Sequence, residues 1–203
     1  MKYLAFEKTF RDFLVFSIQD IRKHCPDFDH RRLVEWQQKG YILKLRRSYY
    51  CFAERRKDEL FLYFSANKFY SPSYVSFESA LAYYNLIPEA VFTITSTTTR
   101  NTANYDTTIG NFTYKHLKPS LFFAYRLIQG DGAMIKIGEP EKVILDYFYI
   151  NKLNSMAEIE GMRFNEIQVK ELVDFLKLEK YLRIFDSRVL DKRIQLFKKV
   201  INA

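Results

Sequence analysis

The sequence predicts an α+β protein that begins with three short helices and a β-hairpin and continues as an antiparallel sheet with surrounding helices. Three observations indicate this class: helical and hairpin patterns within the first 55 residues, a β-rich stretch from Val91 to Ile137, and helical periodicity from Glu139 onward. A charged connector follows the hairpin. We therefore predict two domains, at residues 1–55 and 56–203.

The composition is typical of a globular protein. Of 203 residues, 48% are hydrophobic and 28% are charged, and a chain of this size buries about 70% of its unfolded surface. The two cysteines, Cys25 and Cys51, form no Cys-x-x-Cys pair, and we find no secretory signal, so we expect a cytoplasmic protein without a disulfide. No apolar run approaches the roughly 20 residues of a membrane span, so we expect no membrane partner.

Two helices are predicted at the start of the chain. Phenylalanines recur at helical spacing and predict a first helix from about Tyr3 to Val15. Ser17 then opens a Ser-x-x-Asp capping box for a second helix. That helix must end near Cys25, because the proline that follows restricts the backbone of the residue before it.

A third helix is predicted from Arg31 to Lys39, with Trp36 on its buried face. Asp27 or Asp29 can cap its start. Gly40 follows directly and can adopt the left-handed conformation that commonly ends a helix.

A β-hairpin follows the third helix. Two strand-like runs, Tyr41–Leu45 and Tyr49–Phe52, flank the polar turn Arg46-Arg47-Ser48. Three short helices and a hairpin within about 55 residues are the element order of a winged helix-turn-helix DNA-binding domain. In that fold the third helix enters the major groove and the hairpin, the wing, lies along the DNA backbone.

The positive charge is concentrated in this N-terminal part. Residues 1–60 carry 14 basic and 9 acidic side chains, whereas residues 61–203 carry 18 and 15, within a total net charge of +8. Residues 39–57 include one acidic residue, Glu54, and seven basic residues: Lys39, Lys44, Arg46, Arg47, Arg55, Arg56 and Lys57. Such a cluster on the third helix and wing favours a polyanionic partner, namely double-stranded DNA.

The second domain is predicted to mix strands and helices. Its predicted elements are a helix at Leu60–Phe69, a helix at Ser76–Asn85 closed by a left-handed Asn85, a strand at Phe92–Thr99, a hairpin around Ile109-Gly110-Asn111, a strand at Phe122–Ile128, a turn at Gln129–Gly132, a strand at Ala133–Ile137, and a helix at Glu139–Ile150. A last helix carries one apolar stripe, formed by Leu190, Ile194, Phe197 and Ile201.

The sequence makes no positive case for catalysis. The three histidines are scattered without metal-site spacing, so we predict no metal site and no cofactor. No glutamate is followed two residues later by lysine, as in restriction-type nucleases, and Asp27-Phe-Asp29 lacks the Gly-Ser turn of a nucleotidyltransferase. We therefore expect no enzyme activity, with a nuclease that has a degenerate metal site kept as an alternative.

Four blocks in the chain resemble one known family. They are Tyr74–Glu89, Ile94–Thr98, Gly110–Tyr114 and Gly138–Asp146. Their order and spacing, together with the N-terminal part, resemble the AbiE-type antitoxins of abortive-infection, or type IV toxin–antitoxin, systems. The chain differs from the family at three positions: Ser48 and Asn85 stand where glycine is usual, and Gly138 where alanine is usual.

The resemblance implies a bacterial transcriptional regulator involved in phage defence. Such an antitoxin binds repeats in its own operon promoter through the winged helix and represses transcription. It also counteracts a nucleotidyltransferase toxin, directly or indirectly, and is itself no enzyme. The resemblance identifies no toxin-binding residues. In the block starting at Pro140, the position of Glu141 in the first turn of a helix, where its charge interacts favourably with the helix dipole, favours a structural role over partner binding.

These arguments predict a set of DNA-binding residues in the N-terminal domain: Gln19, Arg22, His30, Arg31, Arg32, Gln38, Lys39, Lys44, Arg46, Arg47 and Tyr49. We expect Arg31, Arg32 and Gln38 to contact base edges, because arginine pairs with guanine and glutamine with adenine. We expect Lys44, Arg46 and Arg47 to bind phosphates, and Tyr49 or Tyr50 to face outward from the wing. An adaptor whose winged helix contacts protein is the alternative.

Overall fold

The computed structural model describes residues 1–55, 57–130 and 132–202. Its helices are α1 (Tyr3–Phe10), α2 (Ile18–His24), α3 (Arg31–Gln38), α4 (Glu59–Phe69), α5 (Phe77–Tyr83), α6 (Pro140–Ile150), α7 (Met156–Glu160), α8 (Glu166–Leu172), α9 (Phe175–Phe185) and α10 (Arg188–Asn202), with a 3-10 turn at Pro119–Leu121. Its strands are β1 (Phe16–Ser17), β2 (Ile42–Arg46), β3 (Tyr49–Phe52), β4 (Ser73–Val75), β5 (Thr93–Thr98), β6 (Ala103–Thr107), β7 (Gly110–His116), β8 (Tyr125–Gly130) and β9 (Ala133–Gly138). The α+β class is therefore confirmed.

The strands form two sheets. The small sheet has the order β1-β3-β2 and is antiparallel. The large sheet has the order β6-β7-β5-β4-β9-β8, and its β5–β7 and β4–β9 pairs are parallel. The prediction of an antiparallel sheet is thus wrong for the large sheet, which is mixed. Alternating polar and apolar residues mark a strand but carry no information about the direction of its neighbour.

Local capping signals were predicted correctly in the N-terminal part. Ser17 and Asp20 form the complete capping box at the start of α2. Gly40 has a φ of +70°, the left-handed conformation expected after α3. At the start of α3 the side chain of Asp29 accepts a hydrogen bond from the backbone N–H of Arg31 at 3.0 Å, so Asp29 rather than Asp27 satisfies this end.

The first helix is shorter than predicted, because the residues after it belong to other parts of the fold. α1 ends at Phe10, and Leu14 and Val15 are buried in the larger core. Phe16 and Ser17 then form β1, which pairs with Tyr49 and Tyr50 of β3. A two-residue strand has no periodicity of its own, so the sequence did not predict it.

Two apolar clusters hold the fold together. The smaller one joins α1, α2, α3 and the small sheet through the buried residues Phe6, Phe10, Phe16, Ile21, Phe28, Leu33, Trp36, Ile42, Tyr50 and Phe52. The larger cluster fills the remainder of the chain but also takes in Leu14, Val15, Leu45 and Cys51 from the first 55 residues. The N-terminal elements therefore contribute to both cores, and the domain boundary at residue 55 stays a prediction.

Most predicted elements of the second part are present. Asn85 closes α5 with a φ of +55°, and the apolar stripe of α10 is buried. The strand predicted from Phe122 begins only at Tyr125, because the chain makes a 3-10 turn just before it. Of the predicted turn at residues 129–132, Asp131 lies outside the described residues.

A buried polar cluster connects α6 to the large sheet. Lys142 and Asp146 are both fully buried and form an ion pair within α6. The second carboxylate oxygen of Asp146 accepts hydrogen bonds from the hydroxyls of Tyr74 (2.7 Å), Ser76 (2.9 Å) and Thr97 (3.2 Å). We call these five residues the Asp146 cluster. The cluster gives Lys142 and Asp146 of the block starting at Pro140 a structural role.

Candidate nucleic-acid interface

Helix α3 is anchored by one face and exposes the other. Leu33 and Trp36 are buried, and the Trp36 ring lies 5.5 Å from that of Tyr3 and 4.7 Å from that of Phe6. Because α1 and the aromatic core cover this side, the opposite side of α3 faces away from the protein. The helix orientation inferred from the sequence is therefore confirmed.

The outward face of α3 carries four of the predicted DNA-binding side chains. Arg31, Arg32, Gln38 and Lys39 are all exposed. Val34, which the sequence analysis did not include, lies among them with 56% of its surface exposed. The face therefore combines cations, an amide and one methyl-bearing side chain, which are the groups that read base edges in a major groove.

Ion pairs connect several of these side chains. Arg31 binds Asp29 at 3.0 Å, whereas Arg32 and Lys39 both bind Glu35, at 2.8 and 2.7 Å. Hydrogen bonds from Lys39 and Arg32 lower the pKa of Glu35, so this glutamate is ionised at neutral pH. All these groups are solvent-exposed, and such pairs are weak and screened by salt, so the cations can exchange carboxylate for phosphate at little cost.

Glu35 was expected on the outward face of the third helix, but it was not included among the predicted DNA-binding residues, although a signal for its ion pairs existed. Its spacing from Arg32 (i, i+3) and Lys39 (i, i+4) is that of side chains that meet on one helix face. Glu35 gives the α3 face one negative charge among its positive ones.

The predicted residues on α2 and before α3 differ in their exposure. Gln19 and Arg22 are exposed on α2, and Lys23, which was not predicted, is exposed beside them. His30 is only half-exposed: its ring lies 5.8 Å from that of Phe28, and its Nδ1 atom is buried with no hydrogen bond to any described residue. His30 therefore packs at the start of α3 rather than projecting from it, contrary to expectation.

In the hairpin, Lys44 and Arg47 are exposed as predicted, but Arg46 is not. Arg46 is half-buried, with its guanidinium carbon 3.3 Å from the centre of the Tyr105 ring and its Nη1 donating to the carbonyl of Phe69 at 3.1 Å. The prediction that Arg46 binds phosphate is therefore corrected, since its side chain binds the rest of the protein. Long-range partners of this kind leave no trace in the local sequence.

The expectation of an outward tyrosine on the hairpin is also wrong. Tyr49 is half-buried, with its ring 5.2 Å from that of Phe69, and burial raises its pKa. Tyr50 is buried in the smaller core, where its ring stacks on Phe16. Neither ring offers a platform for bases.

The predicted basic cluster therefore divides into two groups. Lys39, Lys44 and Arg47 are exposed, whereas Lys57 donates to the carbonyls of Ala53 (3.0 Å) and Arg55 (2.7 Å). Arg55 donates in turn to the carbonyl of Arg11. Arg56 lies outside the described residues. Within this cluster, the exposed positive charge therefore lies at the end of α3 and on the hairpin.

A groove lies beside the hairpin tip. Its volume is about 390 Å³, and one wall is formed by residues 44–47 of the hairpin. The other wall comes from the large sheet, where Asp106, Thr107 and Thr108 lie at the end of β6 and in the turn to β7. No sequence signal placed the β6–β7 turn next to the hairpin.

No family model and no curated protein matches the chain. Within residues 1–55, 57–130 and 132–202, no group of three or more His, Cys, Asp or Glu side chains could hold a metal ion. Across the same residues, none of the helices has the length and apolar character to cross a bilayer.

Proposed function

We propose that the protein binds double-stranded DNA sequence-specifically, using α1, α2, α3 and the β2–β3 hairpin as a winged helix-turn-helix. One observation carries the proposal. The side of α3 opposite Trp36 exposes Arg31, Arg32, Gln38 and Lys39 together, on a helix whose other side is anchored in an aromatic core.

The dimensions of α3 support this function. With its side chains an α-helix such as α3 is about 10–12 Å in diameter, which the roughly 12 Å wide major groove of B-DNA admits. The helix presents its polar face without a covering element, as a recognition helix must. Its ion pairs are solvent-exposed and therefore weak, so phosphates or bases can replace the carboxylates as partners of the cations.

The side chains divide into two roles in this proposal. Arg31 and Arg32 read guanine, Gln38 reads adenine, and Val34 contacts a thymine methyl group. Arg22, Lys44 and Arg47 bind phosphates and set the position of the helix without reading sequence. Arg46, His30 and Tyr49 are left out of the interface.

We further propose, from the resemblance to AbiE-type antitoxins, that the DNA is the promoter of the protein's own operon. The protein would then repress a toxin–antitoxin operon and counteract a nucleotidyltransferase toxin. Co-expression of the protein with a nucleotidyltransferase encoded beside its own gene tests the proposed antitoxin role. Growth restored by the protein supports the antitoxin role, and growth arrest that persists contradicts it.

The proposed DNA binding is tested separately, by fluorescence anisotropy with the upstream promoter duplex and with a shuffled duplex of the same composition. We expect the promoter to bind at least about 1,000-fold more tightly. Arg31→Ala should reduce that preference, whereas Lys152→Ala, which removes an exposed cation after α6, should not. Absence of binding to either duplex at low salt would favour the protein adaptor instead.

A further inference from the structure

The hairpin does not project freely from the protein, because the large sheet supports it. The hydroxyl of Thr108, in the β6–β7 turn, donates a hydrogen bond to the backbone carbonyl of Lys44 at 2.9 Å. In a second contact between the hairpin and the large sheet, the guanidinium of Arg46 lies over the ring of Tyr105 in β6. These two contacts fix the distance between the hairpin tip and the β6–β7 turn, so the groove between them is formed before any ligand arrives.

The β6–β7 turn is itself rigid. The hydroxyl of Thr107 donates to the carbonyl of Gly110 at 2.7 Å and accepts from the backbone N–H of Ile109 at 3.3 Å. Gly110 has a φ of +134°, which only glycine adopts without strain. A side chain on this turn therefore has a defined position relative to the hairpin.

The charges lining the groove suit one anionic group. Lys44 and Arg47 are exposed on the hairpin side, whereas the guanidinium of Arg46 lies against the Tyr105 ring. Asp106 is exposed on the opposite side and is the single carboxylate in the lining. The two exposed cations, Lys44 and Arg47, against one anion leave a net positive groove, and lysine and arginine are the side chains that donate to phosphate oxygens.

We propose that this groove binds a backbone phosphodiester of the DNA duplex, so that the β6–β7 turn of the second part of the chain belongs to the DNA interface. Lys44 and Arg47 supply the donors, and Thr108 holds the hairpin in place. Asp106 repels the phosphate and lowers the affinity for all duplexes alike. This inference rests on the proposed DNA-binding function.

Neutralising Asp106 provides the first test. Asp106→Asn should tighten binding to promoter and shuffled duplexes by the same factor, about threefold to fivefold at low salt, which is what one surface charge contributes. Glu160→Gln makes the same change in net charge at an exposed position on α7 and should leave binding unchanged. Equal behaviour of the two variants would overturn the inference.

A second pair of variants separates charge from support of the hairpin. Thr108→Val removes only the hydrogen bond to Lys44, and Thr108→Glu also places a carboxylate in the groove. We expect Thr108→Glu to bind both duplexes at least about tenfold more weakly than Thr108→Val, since a like charge faces the phosphate. Equal binding by the two would place the duplex elsewhere.

The outcomes distinguish failure of the groove proposal from failure of the proposed DNA-binding function. If the wild-type protein binds the promoter and neither the Asp106 nor the Thr108 variants differ from their controls, the groove is excluded and DNA binding stands. If the wild-type protein binds no duplex, both proposals fall. Melting temperatures of all variants, measured alongside, show that each one is folded.

Discussion

Asp146 contacts all four other residues of its buried cluster, so we predict that replacing it lowers stability more than replacing Lys142 does. Asp146→Ala leaves the buried ammonium of Lys142 without a counter-charge and removes the acceptor of three hydroxyls, those of Tyr74, Ser76 and Thr97. Lys142→Met removes the cation and its hydrogen bond to the Tyr74 hydroxyl, and the remaining carboxylate keeps its three hydroxyl donors.

The magnitudes follow from these contacts. Removing one partner of a buried ion pair costs about 3–5 kcal/mol, and each buried hydroxyl that loses its acceptor adds about 1 kcal/mol. We expect Lys142→Met to lower the free energy of unfolding by about 3 kcal/mol and Asp146→Ala by about 6 kcal/mol or more. Because a whole domain is stable by only about 5–15 kcal/mol, Asp146→Asn, which keeps an acceptor oxygen, serves as the milder variant.

The pH dependence of Asp146→Asn gives an independent check. Burial lowers the pKa of Lys142 below its ordinary 10.5, and Asp146 opposes that shift. Without the carboxylate the folded-state pKa falls further, so the unfolded state binds more protons and stability rises with pH toward 10.5. Urea unfolding followed by circular dichroism at pH 7 and 9 measures this. Equal costs for Lys142→Met and Asp146→Ala, or no gain in stability at pH 9, would refute the account of the cluster.

Three further predictions concern α2, the hairpin and α3. Burial opposes ionisation of Asp20, but its capping hydrogen bonds and Lys68 outweigh burial and lower its pKa below 3.8. Asp20→Asn should therefore lower the free energy of unfolding by about 1 kcal/mol at pH 7. In urea unfolding measurements this difference from the wild type should disappear as the pH falls through the folded-state pKa of Asp20. Arg46→Ala should lower the free energy of unfolding by about 1–3 kcal/mol without changing the salt dependence of DNA binding. Arg47→Ala should leave stability unchanged and reduce the slope of log affinity against log salt concentration by about 0.9. The reverse pattern would contradict our assignment of the two arginines. Glu35→Gln should raise affinity for shuffled duplex about threefold in anisotropy titrations, and an unchanged affinity would remove Glu35 from the interface.

Features set by neighbouring residues could be predicted from the sequence. The capping box at Ser17, the left-handed Gly40 and the left-handed Asn85 each depend on a few consecutive residues, and all three are present. The outward face of α3 follows from the burial of Trp36 by the same logic, since helical periodicity relates one face to the other.

Features that depend on distant residues could not be predicted. Arg46 looked like a phosphate ligand because its neighbours are basic, yet Tyr105, which lies far along the chain, decides its position. The (i, i+4) spacing of Lys142 and Asp146 is visible in the sequence, but an exposed helix pair has the same spacing. Only the packing of α6 against the sheet makes that pair a buried one.

The central claim, that α3 reads bases from the major groove, is tested most directly by methylation interference. Dimethyl sulfate methylates guanine N7 in the major groove, the atom that arginine contacts. On the promoter duplex we predict that methylation of a few guanines blocks binding of the wild-type protein. At one of these guanines, methylation should no longer reduce binding of the Arg31→Ala variant. Binding unaffected by every N7 methylation, or an identical pattern for the wild type and Arg31→Ala, would contradict it.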